Sequence, residues 1–161
     1  MPSSSSSGAP KFDLAPPSPD QRKRLEGALT REERDVLLNH GTEAPFCGTL
    51  LDNKHAGAYC CKLCGLPLFA AAEKFESGTG WPSFTAPFAE NHLTFVSDDS
   101  HGMVRTEIRC ARCGSHQGHV FPDGPPPTHQ RFCINSVALD FVAAGTAFPD
   151  KLGRGEASKG A

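Results

Sequence analysis

Four of the seven cysteines occur as two Cys-x-x-Cys pairs, the spacing of a thiolate metal site. Glycine directly follows each pair, and it accepts the left-handed backbone of a tight turn that aims both sulfurs at one point. Four thiolates complete a tetrahedral zinc site without an open position, so the zinc would be structural. Thioredoxin-type redox pairs and cysteines buried by chance are the alternatives. The predicted zinc ligands are Cys61, Cys64, Cys110 and Cys113.

The two pairs lie far apart in the chain. Residues 65–109 separate them, a longer stretch than the roughly 15–20 residues of an ordinary zinc ribbon. We therefore expect a substructure between the pairs, with the metal joining its two ends.

Three thiols remain after the zinc ligands are assigned. In a strand, Cys60 would face away from Cys61 and fill space. Cys133 would share a strand face with Arg131, whose guanidinium favours the thiolate by lowering the thiol pKa. The residues leave open whether Cys133 is reactive or a buried structural thiol. The third thiol, Cys47, precedes a glycine.

Two histidines and an aspartate follow the second cysteine pair closely: His116, His119 and Asp123. They are available as acid and orienting groups beside a nucleophile. The His-x-x-His spacing is also compatible with a second metal, although no further ligand pair stands at a suitable spacing. A lone histidine in a strand is more often structural.

The elements that would position these residues are short strands. The chain has 161 residues, which predicts one domain. Short apolar or alternating runs broken by Gly, Pro, Asn and Asp predict a mainly β, antiparallel domain, a sandwich or open barrel. The predicted strands cover 57–61, 66–69, 93–97, 103–109, 118–121, 130–134 and 137–142.

The ends of the chain differ from this middle part. Residues 1–17 are rich in Ser and Pro and are expected to be disordered. Capping signals at Ser18 and Thr30 predict two helices in an arm over 18–44. The β domain is expected at 45–145, followed by a flexible C-terminal tail at 146–161.

Composition excludes several function classes. The net charge is −2, with no basic patch for nucleic acid. No apolar run approaches the ~20 residues of a membrane span, and no secretory signal precedes the helices, so we expect a cytoplasmic protein. Two rival interpretations remain: a zinc-knuckle binding module without chemistry, and a nucleic-acid-binding zinc ribbon.

Over residues 29–142 the sequence resembles the zinc-containing branch of the B-type methionine-R-sulfoxide reductases. Three motifs carry the resemblance together with the cysteine pairs. They are Ser-Gly-Thr-Gly-Trp-Pro-Ser-Phe at 77–84, Gly-His-Val-Phe-Pro-Asp-Gly at 118–124 and Arg-Phe-Cys-Ile-Asn-Ser at 131–136.

The resemblance implies a tent-like pair of antiparallel sheets, with the site on one face and zinc on the far side. It implies reduction of the R epimer of methionine sulfoxide, mainly in proteins or peptides, with thioredoxin as reductant and no nucleic acid or membrane partner. The implied roles are Cys133 as nucleophile, Arg131 beside the thiolate, Asn135 in the polar network, Trp81 against the substrate methyl, and His116, His119 and Asp123 around the sulfoxide oxygen.

The sequence departs from a common family pattern at one position. Many members carry a resolving cysteine where this chain has Thr79. Cys47 is the best substitute, because Gly48 gives its segment freedom, and Cys60 is the second choice.

Overall fold

The computed structural model describes residues 12–46, 48–99 and 102–154. Within them, two α-helices precede nine β-strands. The helices are α1 (Pro19–Gly27) and α2 (Arg31–Leu37). The strands are β1 (Gly57–Cys61), β2 (Pro67–Ala70), β3 (Lys74–Phe75), β4 (Ser83–Phe84), β5 (Leu93–Asp98), β6 (Arg105–Cys110), β7 (His116–Phe121), β8 (Arg131–Ile134) and β9 (Leu139–Ala143).

Both helices begin at the predicted caps. The Ser18 hydroxyl accepts from the backbone N–H of Gln21, and the Gln21 side chain accepts from the N–H of Ser18. The same reciprocal pair forms between Thr30 and Glu33 at the start of α2. These contacts satisfy backbone donors that a helix start leaves free. In the described part of the chain, neither helix is long and apolar enough to cross a membrane.

The strands form two antiparallel sheets, which confirms the predicted fold class. One sheet has the order β2-β1-β9, and the other has the order β3-β4-β8-β7-β6-β5. Each of the seven predicted strands is present, with its ends shifted by a few residues at most. The two-residue strands β3 and β4 were not predicted, because a run of two residues has no detectable period.

The larger sheet has one apolar and one polar face. Ile108, Phe132 and Ile134 point from its central strands into the core, where they are fully buried. Phe69 of the smaller sheet stacks on Phe84 of β4, with ring centroids 4.4 Å apart. The opposite face of the larger sheet carries the residues singled out for chemistry, as strand alternation requires.

The described parts of the two chain ends make contacts with each other and with the domain. Phe12 packs edge-on against Phe88 and Phe148, at 6.4 and 5.7 Å between ring centroids. Phe148 and Leu152 are buried. The guanidinium of Arg154 donates to three backbone carbonyl groups of residues 13–16. Residues 12–17 and 146–154 therefore pack together on the domain, since a few large apolar side chains are enough to hold segments of low overall hydrophobicity.

Candidate active site and metal centre

The four predicted zinc ligands converge on one point. The Sγ atoms of Cys61, Cys64, Cys110 and Cys113 all lie within 4.8 Å of one another, and all four residues are buried. The Cys61–Cys113 and Cys64–Cys110 Sγ distances are 3.6 and 3.5 Å. A regular tetrahedron with Zn–S bonds of about 2.3 Å has sulfurs about 3.8 Å apart. The thiol cluster therefore has the size and ligand chemistry of a structural zinc site.

Two matched turns build this cluster. The N–H of Gly65 donates to the carbonyl of Cys61, and Gly114 makes the equivalent bond to Cys110, both at 2.8 Å. Both glycines have positive φ, as the glycine after each pair predicted. Ser115, which the sequence analysis did not single out, places its hydroxyl 3.3 and 3.2 Å from the sulfurs of Cys61 and Cys113.

Strand register places the predicted nucleophile beside a predicted acid. Cys133 on β8 pairs directly with His119 on β7, and His119 pairs with Glu107 on β6. Directly opposed side chains on one face of an antiparallel sheet have Cβ atoms about 4.5–5.5 Å apart. A thiol, an imidazole and a carboxylate thus form one row across three adjacent strands.

Cys133 opens into a cavity of about 280 Å³. Its lining includes Thr42, Thr79, Trp81, His119, Phe121 and Arg131. Among the cysteines of the described residues, Cys133 alone is partly exposed. The site is therefore concave, mixed in polarity and large enough for a small side chain.

Burial raises the pKa of the Cys133 thiol above its ordinary value. The charge of Arg131 and a hydrogen bond from Thr79 act in the opposite direction, but they do not outweigh burial. Arg131 thus lowers this pKa as expected, but burial reverses the net effect. The sequence identified the cation correctly but could not give the depth of the thiol.

His116 reaches the same sheet face through an irregularity. Residues three apart in a regular strand face opposite sides. The register of β6 and β7 shifts between Ile108 and Arg109, so that His116 pairs with Arg109. As a result, the rings of His116 and His119 lie 5.5 Å apart between centroids.

Glu107 organises this part of the site, and the sequence analysis missed it. Its Oε2 accepts from Nδ1 of His116 at 2.7 Å and from Nδ1 of His40 at 2.8 Å, and its Oε1 accepts from Arg109 at 2.9 Å. Burial alone would raise the pKa of this carboxyl, but these three partners hold it at about 2. Burial lowers the pKa of His116, despite the opposing effect of Glu107.

His119 has a carboxylate partner of its own. Its Nε2 lies 2.8 Å from Oδ2 of Asp98 on β5, and the same oxygen accepts from Arg105 at 3.3 Å. The sequence analysis missed Asp98, because it lies at the end of a strand of ordinary composition, and two strands separate that strand from the strand of Cys133. Asp98 could be identified only from the pairing of β5 with β6, which the sequence does not specify.

Asp123 and Arg131 form an exposed pair at the rim. Two hydrogen bonds of 2.9 and 3.1 Å join the guanidinium to the carboxylate, and they lower the pKa of Asp123. The guanidinium also lies 4.4 Å from the centre of the Phe121 ring, a cation–π distance. Asp123 is outside the cavity lining, and its side chain is 62 % exposed. Its geometry is that of a group that orients Arg131.

Asn135 and Glu43 brace the wall of the cavity. Asn135 donates from its side chain to the Gln117 carbonyl and accepts from the Glu43 N–H, each at 3.0 Å. The carbonyl of Glu43 accepts the indole N–H of Trp81 at 2.9 Å, which fixes the ring. Glu43 is buried and also accepts from the N–H of Val137. The sequence analysis placed it at the end of a helical arm and gave it no role.

The structure gives different information about the two candidate resolving thiols, Cys47 and Cys60. Cys47 lies outside the described residues. Its neighbour Phe46 donates a backbone hydrogen bond of 2.7 Å to Gly80, within the loop that carries Thr79 and Trp81. Cys60 is fully buried in a separate apolar cluster with Ala58, Val142 and Phe148, and burial raises the pKa of its thiol far above the ordinary value.

Comparison with known proteins identifies relatives over most of the chain. Residues 29–143 match the SelR domain family. A Caulobacter vibrioides protein is 67% identical over 145 residues, covering 90% of this chain and 91% of the relative. A Xylella fastidiosa protein is 61% identical with 90% and 94% coverage, and a Thioalkalivibrio sulfidiphilus protein is 52% identical with 74% and 88% coverage. All three are named peptide methionine sulfoxide reductase MsrB.

Proposed function

Since the chain belongs to the SelR domain family, we propose that it is a peptide methionine sulfoxide reductase acting on the R epimer of protein-bound methionine sulfoxide. One observation carries the proposal: the partly exposed thiol of Cys133 faces a cavity shared with an indole and an imidazole, those of Trp81 and His119. A binding module needs no such thiol, and a net charge of −2 disfavours a nucleic-acid-binding ribbon.

The chemistry requires a nucleophile and an acid. The thiolate of Cys133 attacks the electrophilic sulfoxide sulfur while a protonated imidazole delivers a proton to the departing oxygen. The Cys133 sulfur bonds to the substrate sulfur, and the S–O bond breaks as the oxygen takes a second proton and leaves as water. A water molecule then attacks the Cys133 sulfur and gives up a proton, the S–S bond breaks, and methionine leaves while Cys133 becomes a sulfenic acid. His119, directly opposite Cys133, is the first candidate for the acid, with His116 behind it.

The walls of the cavity select the epimer. The sulfur centre gains positive charge as its oxygen is protonated, and the face of Trp81 stabilises that charge while it contacts the methyl group. With the oxygen towards His119 and the methyl towards Trp81, only one configuration at sulfur directs the peptide out of the cavity. Asn135 holds the backbone that positions Trp81, through Glu43. Asp123 orients Arg131 beside the thiol.

Recycling of the sulfenic acid requires a second thiol. We assign this role to Cys47, because the backbone of Phe46 is bonded to the loop of Thr79 and Trp81. Condensation of the Cys47 thiol with the sulfenic acid forms a disulfide and releases water. Thioredoxin is the proposed dithiol that reduces this disulfide. Zinc on the four thiolates holds the two turns together and takes no part in the chemistry.

The test uses a peptide with a mixture of both methionine sulfoxide epimers and dithiothreitol as reductant. The wild-type protein is expected to remove the R epimer and leave the S epimer. Cys133→Ser is expected to be inactive and correctly folded, because a serine hydroxyl is a far poorer nucleophile than a thiolate. Turnover by Cys133→Ser, or loss of the S epimer alone, would refute the proposal.

The resolving role is tested separately. Cys47→Ser should form one equivalent of methionine and leave a trappable sulfenic acid, and its turnover with thioredoxin should collapse while dithiothreitol still supports it. Cys60→Ser is the matched control and should behave as wild type. If Cys47→Ser still forms an internal disulfide, another thiol resolves the intermediate.

A further inference from the structure

A cluster of metal-ligating side chains lies beside the Cys133 cavity and apart from the four thiolates. Nδ1 of His40, Oε2 of Glu107 and Nδ1 of His116 all lie within 4.8 Å of one another. Both imidazoles converge on the same carboxylate oxygen, at 2.8 and 2.7 Å. The catalytic proposal uses His116 but gives no role to His40.

We propose that His40, Glu107 and His116 form a second metal site, which binds one divalent transition-metal ion of the Zn²⁺ or Ni²⁺ type. Two imidazoles and one carboxylate are ligands that these ions accept readily. The hard cation Mg²⁺ prefers an all-oxygen environment and should bind far more weakly.

Two of the three ligands are held rigidly. Glu107 and His116 are 5 and 2 % exposed, and both lie on adjacent strands. The third, His40, has a side chain 49 % exposed and stands in the connection after α2. Ligands at about 2.1 Å from a tetrahedral ion are about 3.4 Å apart, so the nitrogen–oxygen distances must widen by roughly 0.6 Å. The exposed His40 supplies the movement on its own side and gives the ion a path from solvent, whereas the Glu107–His116 contact widens only by rotation of these two side chains.

The protonation states also suit a metal. Glu107 is an anion at neutral pH, and burial favours the neutral imidazole of His116. Ligation through Nδ1 moves the proton of His116 to Nε2. That atom is buried and has no hydrogen-bond partner among the described residues, so the change of tautomer breaks no existing bond at Nε2. Arg109 opposes binding, because its charge remains on the other oxygen of Glu107. We therefore expect a reversible regulatory site.

Occupancy of this site would inhibit the enzyme, a consequence that rests on the proposed function. With Nδ1 bound to the metal, His116 cannot become the doubly protonated imidazolium that the proposed mechanism uses as its acid. The ion would also add positive charge near His119, whose ring is 5.5 Å from that of His116.

Binding and inhibition are measured separately on untagged protein with its tetrathiolate site filled by zinc. Isothermal titration calorimetry should show that each protein molecule binds one Ni²⁺ ion in addition to the zinc on the four thiolates. His40→Asn should weaken this binding by at least about tenfold, since even residues behind a ligand are worth about 10–100-fold. His129→Asn is the matched control, because His129 is exposed and also has a positive φ, near that of His40. It should bind Ni²⁺ as the wild type does.

Ni²⁺ should inhibit single-turnover formation of methionine, measured without a chelating dithiol, in the wild type and in His129→Asn. In His40→Asn, the Ni²⁺ concentration needed for the same inhibition should be at least about tenfold higher. Mg²⁺ should have no effect. Equal Ni²⁺ affinity of His40→Asn and wild type would overturn the metal site. Loss of the additional Ni²⁺ ion in Cys133→Ser would also overturn it, by placing the ion on the thiol. Binding without inhibition, in an otherwise active enzyme, would retain the site and remove its regulatory role.

Discussion

Gly118→Ala tests the closeness of the strands that bring His119 and Cys133 together. A Cβ built on Gly118 overlaps the carbonyl oxygen of Cys133 and lies 3.0 Å from both the carbonyl carbon of Cys133 and Cα of Ile134. Ordinary contact begins near 3.4 Å, and these atoms are backbone, which cannot rotate away. β7 and β8 must therefore separate by about 1 Å or more at the active-site row.

The expected loss follows from that displacement. Overpacking of this kind costs about 1–3 kcal/mol, and the backbone obstruction places Gly118→Ala at the upper end. For a domain of this size, 3 kcal/mol corresponds to a fall in Tm of roughly 10 °C. A misplacement of 1 Å in a catalytic group can cost about 10²-fold, so a separation of this size should slow single-turnover formation of methionine by up to about 10²-fold.

Thermal unfolding and single-turnover kinetics measure the two effects on the same preparation. Gly27→Ala is the control, because a Cβ there meets nothing within 4 Å; it should leave the rate unchanged and should not lower the Tm, since alanine favours the end of α1 over glycine. If Gly118→Ala kept the wild-type Tm and rate, the close pairing of β7 and β8 at the site would be wrong. A lower Tm with an unchanged rate would show that the strands relax without moving His119 from Cys133.

Three further predictions concern charge and metal. In a Cys47→Ser background, the rate of alkylation of Cys133 by iodoacetamide should rise with pH to above pH 9. Arg131→Met should move that rise to still higher pH, because a cation that lowers the thiol pKa is lost. An unchanged pH profile would contradict the contribution of Arg131. Glu107 has a folded pKa of about 2 against an ordinary 4.5, so its stabilising effect is complete above pH 4.5 and is lost as the pH falls towards 2. Glu107→Gln should therefore have a flatter free energy of unfolding over that range in urea titrations, and an equally steep loss would refute the assignment. Cys64→Ser should release zinc to a colorimetric chelator and lower the Tm, since metal affinity contributes to folding; full zinc retention would exclude Cys64 as a ligand.

Local sequence signals determined the parts of the molecule that depend on near neighbours. The turn after each cysteine pair, with Gly65 and Gly114 at positive φ, follows from spacing and residue type. The helix starts at Ser18 and Thr30 follow from reciprocal bonds between residues three apart. The short strands and their antiparallel arrangement follow from alternation and turn residues, because each signal lies within a few residues of the structure it specifies.

Only the tertiary structure decided which residues meet in the site. Glu107, Asp98 and Glu43 come from a strand interior, a strand end and a helical arm, and nothing near them in sequence predicts their partners. The shift in register that turns His116 towards His119 depends on β6. The burial that raises the pKa of Cys133 depends on the elements that enclose it. The pKa values and the pairing of distant segments depend on which residues are neighbours in space, and short-range sequence patterns do not contain that information.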